Sequence, residues 1–200
     1  MKIIAYENVF NRNNVKEFTF NVLINNPEKI FLEFQKINYN NQLDNIRNQT
    51  NKEERNQLKR NFLPAVDLSF CQVLSIDIDN IHTDLSKKNE IISKLKTRSD
   101  LFSLKESVSG NLVAFFKYDC TVSDYPFLYY KIYLELVLFL SVNIDFLPEI
   151  GRLRYVSLGE TYHYNDDCEV LTEILKVDDL PYINTSTPKN KAINIIFGSN

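Results

Sequence analysis

Val73-Leu74-Ser75-Ile76-Asp77-Ile78-Asp79 is the stretch on which the reading of the fold turns. It is apolar and β-leaning up to its two acids, and in an extended chain residues two apart point to the same side. Asp77 and Asp79 therefore face one way, while Ile76 and Ile78 face the other, toward a core. Two carboxylates side by side at a strand end repel each other unless a cation neutralises them, and oxygen-rich pairs suit Mg²⁺ or Mn²⁺. Acids followed by Asn80 are equally ordinary turn and cap chemistry. The surrounding elements decide between the two.

Downstream of this strand, Asp84 is placed to cap a helix running to about residue 97, with Leu85, Ile91, Ile92 and Leu95 as its apolar positions. Residues 101–107 and 111–118 read as two strands joined by the turn Val108-Ser109-Gly110. A long apolar helix follows over about 126–142, and Arg152-Leu153-Arg154-Tyr155-Val156-Ser157-Leu158 alternates as a last strand. The order is β-α-β-β-α-β, a split-βαβ or RRM-like α+β arrangement whose antiparallel sheet has two helices on one face. In that arrangement the last strand lies beside the first, which brings Asp145, just ahead of it, close to Asp77 and Asp79.

Upstream, residues 2–6 read as a short strand. Asn26-Pro27 reads as an N-cap with proline at the first helical position, followed by an apolar stripe of Ile30, Phe31, Phe34 and Ile37. The Asn-rich residues 38–49 read as loop or a short helix ending near Arg47. Thr50 with Glu53 forms a capping-box signature for a polar helix over 51–61, which Pro64 ends. The expected organisation is an N-terminal elaboration (1–66), a core (67–180) and a tail (181–200), together one compact unit. Within the tail, Ala192-Ile193-Asn194-Ile195-Ile196-Phe197 reads as a closing strand.

Composition narrows the class. Two hundred residues, 44% apolar and 24% charged, describe a globular protein with length enough for a core. The net charge of −3 excludes a uniformly basic nucleic-acid coat. Two basic segments stand out, Lys52/Arg55/Lys59/Arg60 and Lys87/Lys88/Lys94/Lys96/Arg98, and each alone reads as a solvated helix face. The apolar run 132–140 is too short for the ~20 residues of a membrane span, with Lys131 and Glu135 one turn apart, and reads as a buried core helix. The first seven residues do not have the pattern of a signal peptide. Three widely spaced cysteines, with no C-x-x-C pair, favour reduced thiols and a cytoplasmic location.

Three blocks in this order resemble the VirE N-terminal, primase-polymerase-like domain of the archaeo-eukaryotic primase superfamily, found in bacterial mobile elements and phages. The first is Leu74-Ser75-Ile76-Asp77-Ile78-Asp79-Asn80, preceded by Lys59-Arg60-Asn61-Phe62-Leu63-Pro64-Ala65, which is similar to that family's Lys-x-x-Leu-Pro lead-in. The second is Glu106-Ser107-Val108-Ser109-Gly110-Asn111-Leu112, similar to its Ser-x-Ser-Gly turn. The third is Ile144-Asp145, then Gly151-Arg152-Leu153-Arg154-Tyr155-Val156-Ser157 and Tyr164-Asn165. The likeness covers roughly residues 1–170 and is strongest over 59–165.

The resemblance implies a two-metal nucleotidyltransferase site with Asp77, Asp79 and Asp145 as catalytic, metal-binding carboxylates for Mg²⁺ or Mn²⁺. It implies that Ser107, Ser109 and the backbone at Gly110 face the nucleotide, and that Arg152 clamps the triphosphate through its bidentate guanidinium. The chain departs from the family's pattern in two places. Asn111-Leu112-Val113-Ala114 lacks the second glycine and the His or Lys that relatives carry after the turn. Gly159 stands where relatives often have an acid, with Glu160 adjacent. His82 reads as a loop or capping residue, since oxygen-ligated Mg²⁺ sites seldom use imidazole. His163 and Cys168 lack the partners of a zinc site, and Tyr129, Tyr130 and Tyr133 read as packing residues.

The function these residues imply is a primase or primase-polymerase of a phage or mobile element, acting in the (host) cytoplasm. Its partners would be a single-stranded DNA template, nucleoside triphosphates and a helicase on a separate chain, since no P-loop occurs in the sequence. Two alternatives stand beside it: a non-catalytic nucleotide- or nucleic-acid-binding replication module, and a metal-dependent nuclease. Against the nuclease, no lysine stands near the acid pair in the sequence.

Overall fold

The computed structural model of the chain describes residues 1–142, 144–150 and 152–174. The tail and its expected closing strand at 192–197 lie outside the described residues. The described elements run β1 (Lys2–Tyr6), β2 (Val15–Thr19), α1 (Phe20–Asn25), α2 (Glu28–Glu33), α3 (Tyr39–Asn48), α4 (Lys52–Phe62), β3 (Ala65–Asp67) and β4 (Val73–Ile78). They continue with α5 (Leu85–Leu95), β5 (Ser103–Glu106), β6 (Leu112–Lys117), α6 (Tyr125–Leu140), β7 (Arg154–Tyr155) and β8 (Thr161–Tyr164). The fold is α+β, with two four-stranded antiparallel sheets ordered β2-β1-β3-β7 and β4-β6-β5-β8.

The alternation in 73–79 is the organising fact of the second sheet. Leu74, Ile76 and Ile78 join Leu104, Leu112, Ala114 and Phe116 on one face, packed against Ile91, Ile92 and Leu95 of α5 and Leu128, Ile132 and Leu136 of α6. The other face carries Val73, Val113 and Phe115 toward the N-terminal elements, where Phe20 stacks on Phe102 at 4.7 Å and meets Phe115 edge-on at 5.4 Å. Helix α6 is buried along one side only, since Leu138 is 80% exposed. Among the described residues no helix is long and apolar enough to cross a membrane, and all three cysteines are free.

Several local expectations are corrected. The sequence pattern does not announce β2 and α1, because β2 is mostly exposed and so lacks a clean two-residue alternation. The cap of α4 is Asn51 rather than Thr50: its side chain accepts from the Glu53 and Glu54 amides. Ile37 lies beyond the end of α2 and is exposed.

The largest correction concerns the last strand. Residues 152–158 contribute only the two-residue β7, which pairs with β3 in the first sheet. Burial explains it: Val156 is fully buried in the N-terminal core, and its amide donates to the Pro64 carbonyl at 2.9 Å. The position beside β4 is taken by a single antiparallel bridge, Ile78 to Ile144.

Candidate functional site

That bridge brings the acids together. The Asp145 amide donates to the Asp77 carbonyl at 3.3 Å, so two residues 68 positions apart sit on adjacent backbones. Asp79 follows the end of β4, and Asn80 then turns the chain away with a left-handed φ of 60°, a conformation asparagine tolerates better than most residues. Asp77, Asp79 and Asp145, with Ser107, Ser109 and Arg152, line one cleft of about 760 Å³ between the two sheets and helices α3 and α4.

The three carboxylates have different neighbours. Asp77 accepts from the guanidinium of Arg154, whose second nitrogen donates to the Ser75 carbonyl at 2.8 Å. Asp79 accepts from the Asn111 amide at 2.8 Å and feels the charge of Asp145 beside it. Burial first, and then the charges of Asp145 and Asp77, push the Asp79 carboxyl up to about 6, while the Asn111 amide pulls the other way. Arg154 therefore neutralises only part of the cluster's charge from within. Among the described residues, no three or more His, Cys, Asp or Glu side chains are grouped to hold a metal ion.

The turn after β5 is built to be tight. The Gly110 amide donates to the Ser107 carbonyl at 3.0 Å, and the Ser107 amide to that of Asn111 at 2.8 Å. Gly110 has φ 81°, a left-handed conformation that favours glycine, while a Cβ there would meet the His82 Cβ only at an ordinary 3.4 Å. Lys88 of α5 locks the turn from behind, donating to the Gly110 carbonyl and to Glu106. Asn111 serves the adjacent loop as well: its side-chain oxygen accepts from the Ile81 and His82 amides, and lies 3.2 Å from His82 Nδ1. His82 is thus held at the cleft rim as a loop residue.

Arg152 lines the cleft, but its guanidinium is turned to the exposed Glu149 at 3.2 Å. Arg154 is the arginine that touches the acids, and sequence reasoning missed it. The signal was present in Arg152-Leu153-Arg154, because residues two apart in an extended segment share a side. Lys52, Arg55 and Lys59, whose spacing alone reads as a solvated face, all line the cleft. Lys59 donates to Ser109 Oγ at 2.6 Å, and burial, then the neighbouring Arg55, push its ammonium pKa down against the pull of Asp79 and Asp77. A lysine does therefore stand near the acid pair, supplied from α4.

The departure at Gly159 has a steric cause. A Cβ there would fall 2.6 Å from the Glu106 Cβ and 2.8 Å from its carbonyl, so no acid fits. The Gly159 carbonyl instead accepts from Lys105, a buried lysine that also donates to the Ile24 carbonyl and Thr161 Oγ1. Burial pushes the Lys105 ammonium down to about 8.

Compared with protein-family models, curated proteins and solved structures, the chain has no match.

Proposed function

We propose that the cleft is the active site of a metal-dependent primase or primase-polymerase that joins nucleotides on a single-stranded DNA template. The observation that carries the reading is the meeting of Asp77, Asp79 and Asp145 in one cleft with Ser107, Ser109 and Arg152, the residues that the family resemblance groups together. On this reading β4-α5-β5-β6-α6 is the RRM-like core: its strands lie in the order β4-β6-β5, and Ile144 bridges to β4 where the fourth strand of such a unit belongs.

The donor types suit a hard divalent cation, although the three carboxylates are not grouped as a closed metal site as they stand. The donors are all oxygen, and a carboxyl whose proton is held up to about 6 marks an acid cluster short of positive charge. Asp77, Asp79 and Asp145 would hold Mg²⁺ or Mn²⁺, which when bound supplies activation of a 3′-hydroxyl and neutralisation of the leaving pyrophosphate. The chain's own residues do the rest. Ser107 and Ser109 present hydroxyls on a rigid turn, and Arg152 is free to leave an exposed glutamate for a phosphate, since such surface pairs are weak. A helicase would be a separate partner.

One observation favours the non-catalytic binding module as a second reading: Arg154 already supplies positive charge to Asp77. Primer extension on a single-stranded template with labelled nucleotides and Mg²⁺ or Mn²⁺ separates the two. The polymerase reading expects template-dependent products that Asp145→Asn abolishes. Absence of product with both metals, alongside retained nucleotide binding, leaves the binding module.

A further inference from the structure

Arg55 is anomalous in an otherwise well-paired cleft. Its Nε is buried with no hydrogen-bond partner among the described residues, and an orphaned donor of this kind calls for an explanation. It stands on the inward face of α4 between Lys52 and Lys59, three and four residues away, which is the spacing of one helical face. Neither Lys52 nor Arg55 forms an ion pair among the described residues, whereas Arg154, Arg152 and Arg47 each have a carboxylate within 4.0 Å.

The charge balance of the cleft agrees. Among the described residues seven cationic side chains line it against four carboxylates, in a chain whose net charge is −3. Local excess of that sign is an electrostatic footprint for an anion. Arg55 and Lys59 also work against each other: burial and the Arg55 charge both disfavour the Lys59 ammonium. An anion bound between them would remove that conflict. Lys59 spends one of its three N–H donors on Ser109, leaving two for a ligand.

The geometry points to a polyphosphate-binding wall on α4, in which Arg55, flanked by Lys52 and Lys59, takes the phosphates of a nucleoside triphosphate lying in the cleft. The three cations span about 10 Å of helix axis, a length that suits three linked phosphates. Lys59 lies within electrostatic reach of Asp77 and Asp79, so a phosphate held there sits beside the carboxylates rather than along an outer groove. The identity of the anion rests on the nucleotide-handling reading above; the anion site itself does not.

The probe is inorganic tripolyphosphate, titrated calorimetrically into the full chain in EDTA at low salt, so that no metal contributes. Wild type should bind, and Arg55→Ala should weaken binding at least about tenfold, the loss of one charge-assisted contact. Lys52→Ala should weaken it a few-fold, and Lys87→Ala, on α5 outside the cleft, should leave it unchanged. Arg55→Lys keeps a charge without the Nε donor and should fall between; with Lys52→Ala it decides the matter if Arg55→Ala does not fold. No binding by wild type, or equal binding by the Arg55 variants, overturns the wall. A single-stranded oligonucleotide that loses more affinity than tripolyphosphate on Arg55 substitution overturns the triphosphate assignment in favour of the template strand. Tripolyphosphate binding that depends on Arg55 in a protein inert in primer extension upholds the wall and retires the polymerase reading. Extension without such binding does the reverse.

Discussion

The two faces of the β4-β6-β5-β8 sheet follow opposite rules. On the helix face Leu74, Ile76, Ile78, Leu104 and Phe116 close a dry core with α5 and α6. On the cleft face, the same strands place Asp77 opposite Val113, and Val113 opposite Lys105, so a carboxylate and an ammonium stand in one cross-strand row. The first face is held by area removed from water, and almost any well-sized apolar residue serves it. The second depends on partners arriving from distant segments: Arg154 for Asp77, Asn111 for Asp79, backbone carbonyls for Lys105. Both faces bury apolar side chains, the second through Val73 and Phe115 against the N-terminal elements, but only the second also carries unspent polarity.

The largest effect that tests this contrast comes from the helix face. Leu136 is fully buried against the sheet, and Leu136→Ala should cost about 2–5 kcal/mol in chemical denaturation, the range for a large-to-small change in a rigid core. A cost below 1 kcal/mol would mean that the face is loosely packed and that the two faces do not differ as described.

An intermediate effect should come from Asp77. Repulsion among clustered acids alone expects Asp77→Asn to be neutral or stabilising, but the Arg154 contact reverses that sign. The Arg154 side chain is 13% exposed and that of Asp77 25%, between a surface pair worth under about 1 kcal/mol and a buried pair whose rupture costs about 3–5. Asp77→Asn should therefore destabilise by roughly 1–3 kcal/mol. A double-mutant cycle with Arg154→Gln should recover most of that as coupling. A cycle with no coupling would show that the guanidinium leaves Asp77 in solution.

The two faces were also unequally legible. Period-two alternation over 73–79 and the apolar positions of α5 and α6 are local signals, and they yielded the helix face and the strands β4, β5 and β6. The convergence of Asp145 on the acid pair followed from the expected order of elements, although the segment that delivers it is one bridge at Ile144 rather than a full strand. What the sequence hid was non-local. Nothing around Val156 announces that its burial commits residues 154–156 to the first sheet, and with them Arg154 to the acids. The α4 cations show helical spacing but no sign of which way the helix faces, because that helix has no fully buried residue to orient it.

Asp79 should give the smallest effect and the opposite sign to Asp77. Its carboxyl titrates near 6 in the fold against an ordinary 3.8, chiefly from burial and then from Asp145 and Asp77. Between those values the folded chain holds more proton than the unfolded one, so this group lowers stability as pH rises from about 4 to 6, with the loss complete above that window. The full shift corresponds to about 3 kcal/mol, but the group is only half-buried and solvent screening reduces this to roughly 1 kcal/mol. Asp79→Asn keeps an oxygen for the Asn111 amide and needs no proton. It should therefore raise stability by that amount at pH 7–8 and make no difference near pH 4. Denaturation midpoints of wild type and variant across pH 4–8 provide the measurement. Curves that stay parallel across that range would mean that Asp79 is not held under the charge of its neighbours, and the cleft face would lose its claim to unspent polarity at the acid cluster.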